Sequence, residues 1–228
     1  FSYGLYQLLA TLCAGGTLVL EESFAFPDLV LRKMVQERVT GFAAVPTIYA
    51  RLLCMELEGL DLSALRYLTN AAAALPVEQV KRVRGLFPKT ELYLMHGLTE
   101  AARTMYLSPD QVDARPASSG LPLDGTEVWL EDEDGRRLGP GQMGELVVRG
   151  RHVTRGYWKA PEQTSQRFRP GPLTGERLCY SGDLFRTDDE GYFYFVSRKD
   201  DIIKSRGQKI APREAEDVLY NLPGVREA

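Results

Sequence analysis

The residues most able to do chemistry fall in three stretches. The first is Leu92-Tyr93-Leu94-Met95-His96-Gly97-Leu98-Thr99-Glu100, an apolar run ending in an imidazole, a glycine, a hydroxyl and a carboxylate. In open α/β sheets ligands gather at the carboxyl ends of strands. There the Thr99 hydroxyl could donate to a phosphate, Glu100 could hold a hard cation such as Mg²⁺, and the His96 ring could stack on a base. A loop with a helix-capping threonine is the alternative that the same residues allow.

The second stretch is Tyr180-Ser181-Gly182-Asp183-Leu184. A carboxylate after a glycine can accept two hydrogen bonds from a ribose diol, although taken alone a tight turn is the simpler reading. The third runs from Ser197-Arg198-Lys199-Asp200-Asp201 through Lys204, Gly207 and Lys209 to Pro212, with Glu214-Ala215-Glu216 after it. By itself it reads as a solvated interdomain segment.

Elements must position these groups, and the chain changes character along its length. Leu5 to Ala14 is apolar and helical, stopped by Gly15-Gly16. Thr17 to Leu20 predicts a short strand. Pro27 opens a helix over Asp28 to Arg38, Gly41 to Val45 reads as a buried strand, and Pro46 opens a helix to about Glu58. Leu65 to Thr69 is a strand, Pro76 opens a helix to Leu86, and Leu92 to Met95 is a strand again. Strands separated by helices predict parallel βαβ units. From Ser119 strands and turns dominate. Val128 to Leu130 and the run after Asp134-Gly135 predict a hairpin. Gly144 to Arg149 is a strand, and Leu184 to Thr187 and Tyr192 to Val196 flank a turn. Arg213 to Leu222 is helical.

The totals exclude several classes. With 44% hydrophobic and 26% charged residues, the 228-residue chain has enough apolar surface for a core, so general disorder is excluded. The formal net charge of −3 gives no basic excess for nucleic acid. No apolar run is long enough for a membrane span, and the first residues predict no signal peptide. Cys13, Cys54 and Cys179 are odd in number and widely spaced, which fits neither a metal site nor a disulfide framework. They point to a reducing, cytoplasmic compartment.

Together, in this order and spacing, the three stretches resemble the adenylate-forming superfamily: acyl-CoA synthetases, luciferases and the adenylation domains of nonribosomal peptide synthetases. Gly144-Glu145-Leu146, Gly150, Gly156-Tyr157-Trp158 with Pro161-Glu162, and the opening Gly15-Gly16-Thr17-Leu18-Val19 extend the resemblance over nearly the whole chain. Met95 to Ala101 is most similar to bacterial acyl-CoA ligases found beside exosortase systems. The resemblance implies an α/β fold: a distorted sheet with βα units over 1–115 as part of a large N-terminal domain, a β-rich subdomain over 116–198, and a hinge with the start of a small C-terminal α+β domain over 199–228. It also implies roles. Thr99 contacts the phosphate of ATP or the acyl adenylate, and Glu100 helps hold Mg²⁺. His96 and Gly97 lie at the nucleotide, with Ala72 and Ala73 near adenine. Asp183 and Arg198 bind the ribose. Asp200 is the hinge, and Lys204 and Gly207 face the thiol acceptor. The reaction implied is activation of a small-molecule carboxylate by ATP, then transfer to CoA or to the phosphopantetheine of an acyl-carrier protein.

The chain also departs from the family pattern. A Ser/Thr/Gly-rich phosphate loop and a C-terminal catalytic lysine have no counterpart here, so the expectation is a piece of a larger enzyme, inactive alone. His96 stands for the usual Tyr or Phe. Ala71-Ala72-Ala73-Ala74 stands where two glycines usually precede an Ala, so the methyl groups of Ala72 and Ala73 are expected to narrow the cleft or push the ligand outward, as in a degenerate, non-catalytic binding module; an unstrained backbone that alanine simply stiffens is the alternative. Ser2 stands where amino-acid-activating relatives carry Asp to pair a substrate ammonium, which favours an acid without an α-amine. His152, Cys54 and the Asp132 to Asp134 turn read as background.

Overall fold

The computed structural model describes residues 2–205, 208–220, 222 and 225. Its elements, in chain order, are α1 (Ser2–Cys13), α2 (Pro27–Gln36), β1 (Gly41–Ala44), α3 (Pro46–Leu52), β2 (Tyr67–Asn70), α4 (Val77–Leu86), β3 (Glu91–Leu98), β4 (Ala101–Leu107), β5 (Ser118–Pro122), β6 (Thr126–Glu131), β7 (Gly144–Gly150), α5 (Pro161–Arg167), β8 (Phe168–Pro170), β9 (Arg177–Thr187), β10 (Phe193–Arg198), β11 (Ile203–Ser205), β12 (Gln208–Ile210) and α6 (Pro212–Tyr220). The hydrogen-bonded order is β1-β2-β3-β4-β5-β10-β9-β7-β6, with β8 on β9 and β11-β12 as a separate pair. Only the pairings β1–β2 and β2–β3 are parallel among the described residues.

The parallel part follows the βαβ rule. The strands run in the same direction, so no tight turn can join them and α3 and α4 carry the crossovers. Proline opens α2 and α3 at a position where its missing N–H costs nothing. Val30, Leu31 and Met34 of α2, Tyr49 and Leu52 of α3, and Val80 and Val83 of α4 pack with Leu68, Leu92 and Leu94 of the strands. Full burial of Leu68 or Leu92 contributes about 1.5–3 kcal/mol each. A second core lies among the antiparallel strands: Met105, Leu130, Leu146, Val148, Phe168, Phe185 and Phe193.

The two parts meet at β5. Its Gly120 has φ +92°, and a Cβ there would stand 1.8 Å from the Tyr106 carbonyl oxygen. The close crossing of β5 over β4 therefore requires a residue without a side chain.

Several expected elements differ. Residues 17–20 form no strand; Leu20 is exposed and no strand pairs with the segment among the described residues. The helix from Pro46 ends at Leu52 rather than near Glu58, because Cys54 and Met55 close turns back to Arg51 and Leu52 and Gly59 takes φ +82°. Leu57, Leu60 and Leu62 then fold back against the core. The apolar run at 92 does not stop at Met95 but continues to Leu98, and β4 returns beside it. Strand structure thus dominates from Ala101 rather than from Ser119. Residues 128–130 pair in full with β7, while the run after Gly135 adds only the bridge Glu131–Arg137.

Candidate functional site

Thr99 and Glu100 form the two-residue turn between β3 and β4, not a loop leading to a helix. The ladder slips between His96 and Leu98. Gly97 lies in that slip: a Cβ would stand 2.5 Å from the Arg103 backbone nitrogen, and Arg103 takes φ +48°. Gly97 thus has a packing reason to be glycine. The Thr99 hydroxyl lies 3.2 Å from that of Ser2 on α1. The Glu100 carboxylate accepts a hydrogen bond from the Tyr157 hydroxyl, and its backbone carbonyl accepts one from Thr154 N–H at 2.8 Å. Burial, and then the neighbouring Glu100, push the Tyr157 hydroxyl up to about 12, so it stays a donor at neutral pH.

Tyr157 engages Glu100 Oε1, and among the described residues no hydrogen bond is made to Oε2, the oxygen available to a cation. No group of three or more His, Cys, Asp or Glu capable of holding a metal exists among the described residues. A single carboxylate suits Mg²⁺ carried mainly by phosphates and water, not a closed protein cage.

Asp183 is the centre of a second group. It lies in β9, not in a turn between elements. Gly182 there has φ +71°, and the β7–β9 ladder slips between Glu145 and Val147. The Ser181 hydroxyl accepts from Asp183 N–H at 3.0 Å. Glu145 secures the irregularity, accepting from Gly182 N–H at 3.0 Å and from Lys199 Nζ at 2.9 Å. Asp183 pairs in register with Arg198 of β10.

The Asp183 carboxylate is engaged on both oxygens. Arg198 Nε lies 3.1 Å from Oδ1, and His96 Nε2 lies 3.1 Å from Oδ2. The other ring nitrogen of His96 lies 2.8 Å from the Thr104 hydroxyl, and Phe185 packs edge-to-face on the ring at 5.0 Å. The His96 and Asp183 side chains are only 14% and 12% exposed, so these contacts are weakly screened. A carboxylate with two donors on it still has lone pairs for a diol.

The other predicted residues are less connected. Parallel pairing of Asn70 with Leu94 brings residues 71–74 to the same end of the sheet as His96. Ala72 there has φ +73° and Ala72 and Ala73 are exposed. Asn70 Nδ2–H donates to the Ala73 carbonyl at 2.9 Å, which braces the loop. Asp200 is exposed on the 3₁₀ turn Lys199–Asp201, two residues past Arg198. Lys204 belongs to β11, but its side chain and Gly207 lie outside the described residues.

Thr104 was not singled out by its sequence setting, because only the slipped ladder brings it to His96. Glu145 meets Gly182 and Lys199 at 37 and 54 residues' distance, and the Tyr157 hydroxyl meets Glu100 at 57, beyond any local spacing signal. A concavity of about 750 Å³ lies elsewhere, at the amino ends of β2 and β3, lined by Leu62, Arg66, Phe87 and Lys89 among others. Its lining holds none of the site residues.

A family model described as AMP-binding enzyme matches residues 1–158. A feruloyl-CoA synthase from Amycolatopsis sp is 38% identical over 221 residues, covering 95% of this chain and 43% of that protein. A long-chain-fatty-acid–CoA ligase from Escherichia coli O157:H7 is 35% identical over 230 residues, covering 100% of this chain and 39% of that one. The chain thus spans about two fifths of the length of these relatives. Among solved structures, o-succinylbenzoate CoA synthetase from Bacillus subtilis, in complex with its acyl-adenylate intermediate, superposes with a TM-score of 0.85 at 29% identity. That match covers 99% of this chain and 44% of the synthetase. The same synthetase has been solved with ATP and a magnesium ion; that form gives a TM-score of 0.83 at 29% identity, over 98% of this chain and 45% of that one.

Proposed function

Because the chain belongs to the AMP-binding enzyme family, we propose that it is part of an AMP-forming acid:thiol ligase, which activates a carboxylate with ATP and transfers the acyl group to CoA. The observation that carries this reading is the meeting of His96, Asp183 and Arg198, drawn from three strands, around one buried carboxylate. Such a carboxylate, held flat by donors on either side, is suited to accept both hydroxyls of a ribose.

The roles are those that the resemblance implies, and the geometry supports them as follows. Asp183 binds the ribose and Arg198 fixes it from the edge. His96 and Gly97 flank the nucleotide, and Ala72 and Ala73 line the same end of the sheet. The Thr99 hydroxyl donates to the phosphate. Glu100, steadied by Tyr157, offers its free oxygen to Mg²⁺; the ion, when bound, would offset charge on the phosphate oxygens as pyrophosphate leaves. Asp200 is the hinge after Arg198, about which the remainder turns between the two half-reactions, and Lys204 faces the thiol step. Boundaries near 115 and 198 are the proposed division; the first hydrophobic core lies almost wholly before 115, while the second draws Ala101 and Met105 from before it.

CoA is favoured over an acyl-carrier protein because the curated relatives are named as CoA enzymes. Ser2, whose hydroxyl lies against that of Thr99, favours an acid without an α-amine, since a serine supplies no charge to pair an ammonium. A cytoplasmic location is supported by three free cysteines. No helix among the described residues is long and apolar enough to cross a membrane.

The test is pyrophosphate release by the whole protein with ATP, Mg²⁺ and a panel of carboxylic acids, followed by acyl-CoA detection. An acid lacking an α-amine is expected to give acyl-CoA, and Asp183→Ala is expected to weaken AMP binding about tenfold to a hundredfold, the value of hydrogen bonds to a charged group. No release with any acid, or unchanged AMP binding by the variant, would overturn the reading.

A further inference from the structure

Thr104 of β4 is fully buried, and its hydroxyl lies 2.8 Å from His96 Nδ1, which donates or accepts according to the ring tautomer, and 3.2 Å from the His96 carbonyl, which only accepts. A hydroxyl has one proton to donate. If it goes to Nδ1, the shorter contact, the neutral ring carries its own hydrogen on Nε2, where Asp183 Oδ2 accepts it at 3.1 Å. Arg198 serves Oδ1. Thr104, His96, Asp183 and Arg198 therefore form one chain through β4, β3, β9 and β10.

β3 and β9 are not neighbours in the sheet order. The hydrogen bond between His96 and Asp183 joins the hairpin bearing Thr99 and Glu100 to the strand pair that leads to Asp200. Asp183 follows Gly182, whose φ is +71°, and two donors on opposite oxygens orient its carboxylate plane. One of them, His96, is itself held by Thr104.

We propose that Thr104 is a positioning residue for nucleotide ribose: it selects the His96 tautomer and ring orientation that align the Asp183 carboxylate. The inference rests on the reading of Asp183 as the ribose acceptor. Thr104 touches no ligand and acts only through His96.

The experiment compares AMP with 2′,3′-dideoxy-AMP on the whole protein, by calorimetry, for wild type, Thr104→Val and Thr104→Ser. Thr104→Val keeps the shape and removes the hydroxyl. It is expected to weaken AMP about fivefold, the worth of one hydrogen bond, and to leave the dideoxy analogue unchanged, because that ligand makes no use of the carboxylate. Thr104→Ser is expected to restore AMP binding. Equal loss on both nucleotides, or no loss on either, overturns the proposal, since a packing role would not depend on the ribose hydroxyls. A second measurement needs no Thr104 variant: the nitrogen NMR signals of His96 in the wild type, assigned by their disappearance in His96→Gln, are expected to show the hydrogen on Nε2. A hydrogen on Nδ1 in the neutral ring overturns the proposal as well. Failure of the wild type to bind AMP overturns the ribose reading itself, a result distinct from any difference among the Thr104 variants.

Discussion

Ala72 carries a backbone conformation that its side chain disfavours. At φ +73° its Cβ crowds the following carbonyl, a cost of about 1–2 kcal/mol for an L-residue that glycine escapes. Its side chain is exposed, so the methyl contributes little packing in return. Ala72→Gly is therefore expected to stabilise the chain by about 1 kcal/mol, the left-handed cost less the chain entropy that glycine loses on folding; urea unfolding checks it, and a lower midpoint would show that the left-handed geometry is not strained. The sequence pointed to this position for a different reason, the expected narrowing of a cleft. What it could not supply was the dihedral angle, because a run of four alanines has no local signal for a left-handed turn. His96, Asp183 and Arg198 were each legible as candidates, while their mutual contacts were not: 87 residues separate His96 from Asp183.

At the scale of elements, the β3–β4 hairpin and the β5 crossing were the parts sequence reading missed. Leu98-Thr99-Glu100 lacks the Asn-Gly or Asp-Gly signal of a two-residue hairpin turn, so nothing local announced the return strand. The turn is held instead from outside, by Thr154 N–H on the Glu100 carbonyl, by the bridge of Ala101 to Val153 and by Tyr157 on the Glu100 carboxylate. Gly120 makes the second case. Its side-chain position is filled by Tyr106 backbone and its φ is +92°, so overpacking and strain combine. Gly120→Ala is expected to destabilise by about 3 kcal/mol or more, the sum of an overpacked contact and a left-handed alanine. Circular dichroism melts of the variant and wild type decide it; an unchanged melting temperature would mean that β5 can leave β4 without cost.

At the scale of the molecule, α1 presents an uncovered apolar stripe. Leu5, Leu8, Leu9 and Leu12 recur at helical spacing along α1 and are all exposed, as are Leu20, Phe26 and Leu29. Isolated apolar side chains on a surface are ordinary, but a contiguous stripe drives association. The 228-residue chain prepared alone is therefore expected to self-associate, and Leu8→Gln with Leu12→Gln to shift it toward monomer in analytical ultracentrifugation. A monodisperse wild-type chain would contradict this. The α1 helix itself was expected from its apolar run and the Gly15-Gly16 stop, and exposed apolar faces were expected of a piece of a larger enzyme; that α1 carries one was not, since periodicity tells which residues share a face but not what meets it.

The sequence by itself determined the chemistry available: a hydroxyl and a carboxylate at 99 and 100, an imidazole at 96, a carboxylate at 183 with an arginine fifteen residues on, and βα alternation before a strand-rich half. These follow from residue type and short-range periodicity, which act within a few residues. The tertiary structure alone decided that Asp183 receives His96 on one oxygen and Arg198 on the other, that Tyr157 secures Glu100, and that Thr104 enters the site at all. Those contacts depend on slipped ladders at Gly97 and Gly182 and on strands paired across long loops. Such pairings are set by the burial of two cores together, a property of the assembled fold that no window of the sequence contains.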